Sequence, residues 1–165
     1  MEQIKAFDLL DVFFKKYRHQ KEKHIINIIQ IPYDENRMEY SYSTILQPLK
    51  NKPGVYSFYH PSTSEVLYVG CSTNLYRTDG QTGRIPQHLG GHATSSPIRS
   101  QKNHEWKKCL TPSCENCMET CHHYFKNDYR NFIKSYLILC VIFEKDTDLD
   151  AIEQNAIQCL KPTIR

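Results

Sequence analysis

The sequence predicts an α+β domain with a small central sheet, and three observations carry that prediction. Two strand-like runs, residues 54–60 and 66–70, flank the turn-rich Pro61-Ser62-Thr63-Ser64, the pattern of a hairpin. A third apolar run, residues 136–143, is bounded like a buried strand and is far too short to cross a bilayer. Stretches with helical spacing lie before, between and after these runs, so the order mixes α and β. With 165 residues, 39% of them hydrophobic, the chain is long enough for one compact domain with a real core, or one domain with a modest extension.

Along the chain, Ile4, Phe7, Leu10, Phe13 or Phe14 and Tyr17 recur at helical spacing, which predicts an amphipathic helix over 3–18. Residues 25–31 are rich in Ile and stop at Pro32, a strand signal. Asp34-Glu35-Asn36 then signals a turn, and 38–45 alternates loosely, so a hairpin is expected there. A connector, 46–53, closes on Pro53. After the central hairpin, Ser72 is a good N-cap for a short helix, interrupted by residues 78–83, with helical spacing resuming from Arg84. Residues 90–97 read as loop, 102–108 and 125–134 as helical. Thr147 or Asp148 caps a final helix that ends at Pro162. The organisation is thus a helix and hairpin extension over 1–50 and a main domain over 51–165, with a Cys-rich insertion at about 109–123.

The net charge of +3 announces no polyanion partner by itself, but its distribution is uneven. Residues 51–110 carry seven Lys/Arg against three Asp/Glu, whereas 111–165 carry six against eight. A local basic surface attracts phosphate, although a solvated basic face would look the same. The first residues lack an apolar run, and seven cysteines is an odd number for a disulfide framework. The expected setting is cytoplasmic, with no membrane association.

Pro53-Gly54-Val55-Tyr56, eleven residues, then Tyr68-Val69-Gly70 resembles the paired strand motif of the GIY-YIG nucleases. Either tripeptide alone is common in strands. The remainder of the pattern comes in order: Ser72-Thr73-Asn74-Leu75 where the family opens a helix, Arg84-x-x-x-His88 on that helix, and Glu153 with Pro162 nine residues later. The resemblance spans residues 53–162. It implies a three-stranded antiparallel sheet flanked by helices, and a DNA endonuclease in which a tyrosine of the motif pair acts as base, Tyr56 being preferred. It also implies that Glu153 binds the catalytic Mg²⁺ or Mn²⁺. Three departures stand out: Cys71 directly after the second motif, the insertion 78–83 before the arginine, and no Asn three residues after the proline, where Arg165 stands.

Phosphodiester hydrolysis asks for these residue types independently. It needs an activated water, relief of charge on the pentacovalent phosphorus and help for the leaving oxygen. Whether Tyr56 and Tyr68 share a face depends on strand register. A phenol holds its proton to about pH 10, so a base role requires a cation or metal-bound water to depress it. Arg84 is permanently charged and forked, suited to a non-bridging phosphate oxygen. His88, one turn further on, shares its face and can take a proton or orient the phosphate. Glu153 offers hard oxygens for Mg²⁺, with the scissile phosphate completing the site. Arg77 is a rival to Arg84 but has Gln81 rather than His or Tyr four residues on. Each residue also has an ordinary structural reading; together and in order they favour catalysis.

Cys109, Cys114, Cys117 and Cys121, followed by His122-His123, have a spacing that suits either a closed structural Zn²⁺ site or reduced thiols in a loop, and sequence does not separate the two. Cys71, Cys140 and Cys159 read as core. The leading expectation is a Mg²⁺-dependent DNA endonuclease, of restriction type by its small extension, with a homodimer implied if it cuts both strands. DNA contacts are expected from Arg77, Arg99 and Lys102, from the N-terminal helix and hairpin, and from the loop 90–103. The alternatives are a structure-specific repair nuclease and a non-catalytic, zinc-stabilised nucleic-acid-binding module on a degenerate nuclease scaffold.

Overall fold

A computed structural model describes residues 24–28, 31, 33–34, 36, 39–40, 43–81, 83–90, 96–98 and 129–164. The helix expected over 3–18, that over 102–108, Arg99, Lys102 and all four cysteines of the 109–123 segment lie outside them.

The described strands are β1 (His24–Ile28), β2 (Tyr33–Asp34), β3 (Glu39–Tyr40), β4 (Gly54–Tyr59), β5 (Val66–Ser72) and β6 (Leu137–Ile142), and the helices are α1 (Arg84–Gly90) and α2 (Leu149–Leu160). The main sheet is antiparallel throughout, in the order β1-β6-β4-β5. It therefore has a fourth strand beyond the expected three. Residues 25–31 were expected to open the N-terminal hairpin, but β1 instead pairs with β6, from His24 opposite Ile142 to Ile28 opposite Ile138. The hairpin around Asn36 forms from β2 and β3 as a separate two-stranded sheet.

Each face of the main sheet buries its own apolar cluster, as the alternation of side chains along a strand demands. One face carries Val55, Val69, Leu139 and Val141 and is covered by Leu149, Ile152, Ala156 and Leu160 of α2. These four recur at helical spacing, which is why α2 lies flat on the sheet. Asp148 caps α2, its carboxylate accepting from the Ala151 N–H at 3.1 Å, and Lys161 ends it in the left-handed conformation before Pro162. The other face carries Tyr56, Phe58, Tyr68 and Ile138 and is covered by Leu46 and Leu49, by Ile85 and Leu89 of α1, and by Ile98, Tyr129 and Ile133. Residues 129–133, within the stretch expected to be helical, are helical.

The helix expected from Ser72 does not form. Ser72 ends β5, and its hydroxyl binds locally to the Asn74 backbone. The connector 50–52 takes the backbone groups that a helix would need: Leu75 N–H donates to Lys52, Asn51 N–H donates to Tyr76, and Lys50 and Tyr76 form a parallel bridge. The insertion after it folds back on itself through Arg77, bound to Asp79 and Gln81. Gly83 then turns the chain at φ 80°, with the Tyr76 Cα only 2.7 Å from where a Cβ would stand. Among the described residues, no helix is long and apolar enough to cross a membrane.

Candidate functional site

Register answers the question that sequence leaves open. Tyr56 pairs with Gly70 and Phe58 with Tyr68, and the irregularity after Phe58 absorbs Leu67. Tyr56 and Tyr68 thus lie diagonally on one face, their ring centroids 6.2 Å apart. Gly70 makes this arrangement possible. A Cβ there would stand 2.6 Å from the Tyr56 hydroxyl and 2.8 Å from Tyr68 Cε1. The second motif's glycine is therefore the floor on which both rings rest.

α1 brings the next two groups to that floor. Its first amides are satisfied from outside, Arg84 N–H by the Asn74 carbonyl and Ile85 N–H by that of Leu75, and Pro86 has no N–H to satisfy. The helix start is thereby tied to the end of β5, and Arg84 and His88, four apart, face the phenols. His88 is fully buried, and its ring is caged by Tyr68, Tyr56 and Phe58 at centroid distances of 5.0, 5.5 and 5.6 Å. Its Nε2 lies 2.7 Å from the Tyr56 hydroxyl, and its Nδ1 lies 2.9 Å from Ser96 Oγ. The Tyr129 hydroxyl donates to the His88 carbonyl and secures the end of the helix.

Burial dominates the electrostatics here. It pushes the Tyr56 phenol well above its ordinary value; Tyr68 and Glu153 add to the rise, while Arg84 opposes it by charge and hydrogen bond. Burial also raises Tyr68, with Glu153 adding to the rise and Arg84 again opposing it. The expectation that a cation would depress the base is therefore met only in sign: Arg84 acts in that direction, and desolvation outweighs it. Burial, with Arg84 second, pulls His88 down to about 3, so its ring is neutral at pH 7.

Glu153 comes from α2, against the opposite face, but beside the edge strand β5. Its Oε2 accepts from Cys71 Sγ at 3.1 Å, and its charge bears on both phenols. Cys71, expected to be core, is only half buried. With Asp150 and Glu153 it forms a group whose ligand atoms lie within 4.8 Å of one another. Burial and the two carboxylates push its thiol up. The carboxylates suit a hard cation such as Mg²⁺ or Mn²⁺, whereas a protonated thiol does not.

Tyr56, Tyr68, Arg84 and His88 are thus brought together, and Glu153 lies beside them at the sheet edge. Arg77 is not part of this group: its guanidinium is engaged by Asp79 in a bidentate pair, on an exposed loop. The loop 90–103 was expected to face DNA, yet Ser96 and Ile98 are 1% and 0% exposed and pack inward. Cys140 is buried as expected; Cys159, flanking the apolar stripe of α2, is exposed. Sequence reading missed Ser96, Tyr129 and the pairing of Asp150 with Glu153. A serine in a Ser/Thr-rich loop carries no local signal of a histidine contact eight residues back. No family model, no curated protein and no solved structure matches the chain.

Proposed function

We propose that this protein is a metal-dependent endonuclease hydrolysing DNA phosphodiester bonds, a member of the GIY-YIG nucleases with their fold. The observation that carries the reading is the contact of the Tyr56 hydroxyl with His88 Nε2 at 2.7 Å, beside Arg84 and Tyr68 on one sheet face. A buried tyrosine packed only for structure needs one partner for its hydroxyl. Here the hydroxyl meets a neutral imidazole, and the charge of Arg84 acts on the same oxygen.

The raised phenol and the neutral imidazole suit a relay better than a resting phenolate. Tyr56 is 0% exposed in this structure, so the step requires that DNA binding open its oxygen to one water. As that water's oxygen forms its bond to phosphorus, its proton passes to the Tyr56 oxygen and the Tyr56 proton passes to His88 Nε2. The bond from phosphorus to the deoxyribose oxygen breaks, and that oxygen takes a proton from solvent. Arg84 supplies fixed positive charge to the non-bridging oxygens, and the phosphate's own charge favours the imidazolium that forms. Tyr68 holds Arg84 and the phosphate in register. Glu153 and Asp150 would hold Mg²⁺ or Mn²⁺, whose chemistry there is to withdraw electron density from the phosphoryl oxygens.

Nicking of supercoiled plasmid tests the reading. Activity is expected with Mg²⁺ or Mn²⁺, none with EDTA, and a loss of at least about a hundredfold in Glu153→Ala, as for removal of a principal charge-stabilising group. Full activity in that variant would refute the mechanism. Cleavage mapping on a complex DNA then distinguishes restriction, with recurrent discrete sites, from repair, with cuts at branches or lesions.

A further inference from the structure

We propose that Ser96 is a positioning residue that holds His88 as its Nδ1–H tautomer, so that the Nε2 lone pair faces the Tyr56 hydroxyl. The inference rests on the relay assigned above, and it specifies the group that makes the relay run in one direction.

A neutral imidazole has one N–H and one lone pair, and both ring nitrogens of His88 are at hydrogen-bond distance from a hydroxyl. The two hydroxyls are not equivalent. A phenol O–H is a much stronger acid than the alcohol of serine, so Tyr56 is the better donor and Ser96 the better acceptor. Arg84 sharpens the difference. A guanidinium can only donate, and the Arg84 charge acting on the Tyr56 oxygen favours a phenol proton that points away from it. His88 Nε2, 2.7 Å away, is placed to receive it. The ring proton then belongs on Nδ1, where Ser96 Oγ accepts it at 2.9 Å. Both residues are closed off from solvent, Ser96 being 1% exposed and His88 0%, so bulk water cannot stand in for the serine. With the opposite tautomer, Nε2 would carry a proton toward Tyr56 and could not take one. Ser96 touches neither water nor phosphate in this scheme and acts through His88 alone.

The measurement is a two-bond nitrogen–proton correlation spectrum of histidine-labelled protein at pH 7, with the His88 ring assigned by its loss in His88→Gln. The wild-type ring is expected to show a protonated Nδ1 and an unprotonated Nε2. Ser96→Ala should convert it to a mixed or reversed pattern and lower the nicking kcat roughly tenfold or more with KM unchanged, the loss of one orienting hydrogen bond. Ser96→Thr, which keeps the hydroxyl, should restore both. A wild-type ring protonated at Nε2 overturns the proposal whatever the variants do, and so does a Ser96→Ala spectrum identical to wild type. If Ser96→Ala does not fold, the wild-type spectrum and Ser96→Thr decide. A protein that cuts no DNA under any metal, yet shows the expected tautomer and its loss in Ser96→Ala, would overturn the nuclease reading and leave Ser96 as the residue that sets the ring.

Discussion

His88 shows how a single side chain is taken over by its surroundings. A histidine on a short helix would ordinarily titrate near pH ~6.5. Enclosed by three aromatic rings and placed near Arg84, this one is held neutral down to about pH 3. The consequence for stability has a definite sign. Between about 3 and the unfolded value near 6.5, the unfolded chain binds a proton that the folded chain refuses. Stability from this group is therefore complete above roughly pH 6.5 and is lost as pH falls, at up to about 1.4 kcal/mol per unit. Urea titrations at pH 7, 6 and 5 should show that decline, and the His88 ring resonances should not move between pH 8 and 4.5. A ring that titrates near 6.5 would mean that the cage is open to water. Ser57 offers a second test at this scale. Its hydroxyl is buried on the face that α2 covers and makes no hydrogen bond among the described residues. Ser57→Ala should be neutral or stabilising by up to about 1 kcal/mol, because it removes a polar atom whose burial is uncompensated.

At the scale of elements, legibility depended on how local the cause was. The strands of the central hairpin, a helix cap at Thr147 or Asp148 and the stop before Pro162 were readable, because alternation, capping and proline act within a few residues; the structure puts the cap at Asp148. The helix expected from Ser72 was misread because its cause is distant: the connector 50–52, more than twenty residues earlier, captures the backbone of 75 and 76. Strand register was likewise beyond the sequence, and with it the fact that Tyr56 and Tyr68 share a face. Gly70 is where register becomes site. Gly70→Ala keeps β propensity and adds one methyl, but that methyl would sit 2.6 Å from the Tyr56 hydroxyl and 2.8 Å from Tyr68 Cε1. Both rings must move, at an expected cost of about 1–3 kcal/mol in the range typical of overpacking. DNA cleavage should fall further than stability does, because the Tyr56–His88 contact is broken in molecules that still fold. Thermal melts and nicking rates on the same preparation separate the two effects. Unchanged cleavage would show that this contact is not needed.

On the scale of the whole molecule, the sheet manages its two edges with pieces from opposite ends of the described chain. β1 extends the sheet beyond β6, and Leu46 and Leu49, just after the small hairpin, are fully buried in the core under Tyr56. Residues 24–28 therefore share the sheet, and Leu46 and Leu49 the core, of β4, β5 and β6. No compositional shift marked this, since a strand that joins a distant partner looks like one that pairs with its neighbour. At the other edge, residues 163 and 164 lie along the start of β5: Thr163 N–H donates to the Val66 carbonyl and Ile164 N–H to that of Leu67. Thr163 Oγ1 and the Tyr136 hydroxyl both donate to Glu65, and Ile164 is buried. This short return after Pro162 covers backbone groups that would otherwise offer an open template to another chain. Removing residues 162–165 takes away two backbone hydrogen bonds, the Thr163–Glu65 hydrogen bond and the burial of Pro162 and Ile164, together about 4 kcal/mol by ordinary magnitudes. The expected outcome is a lower urea midpoint and concentration-dependent association through β5, seen by light scattering. Thr163→Ala, which spares the backbone pairing and Ile164, should cost no more than about 1 kcal/mol and leave the protein free of association. If the truncated chain is as stable as the parent and stays dispersed, the return is only a passive tail, and β5 is held by its pairing with β4 and by α2.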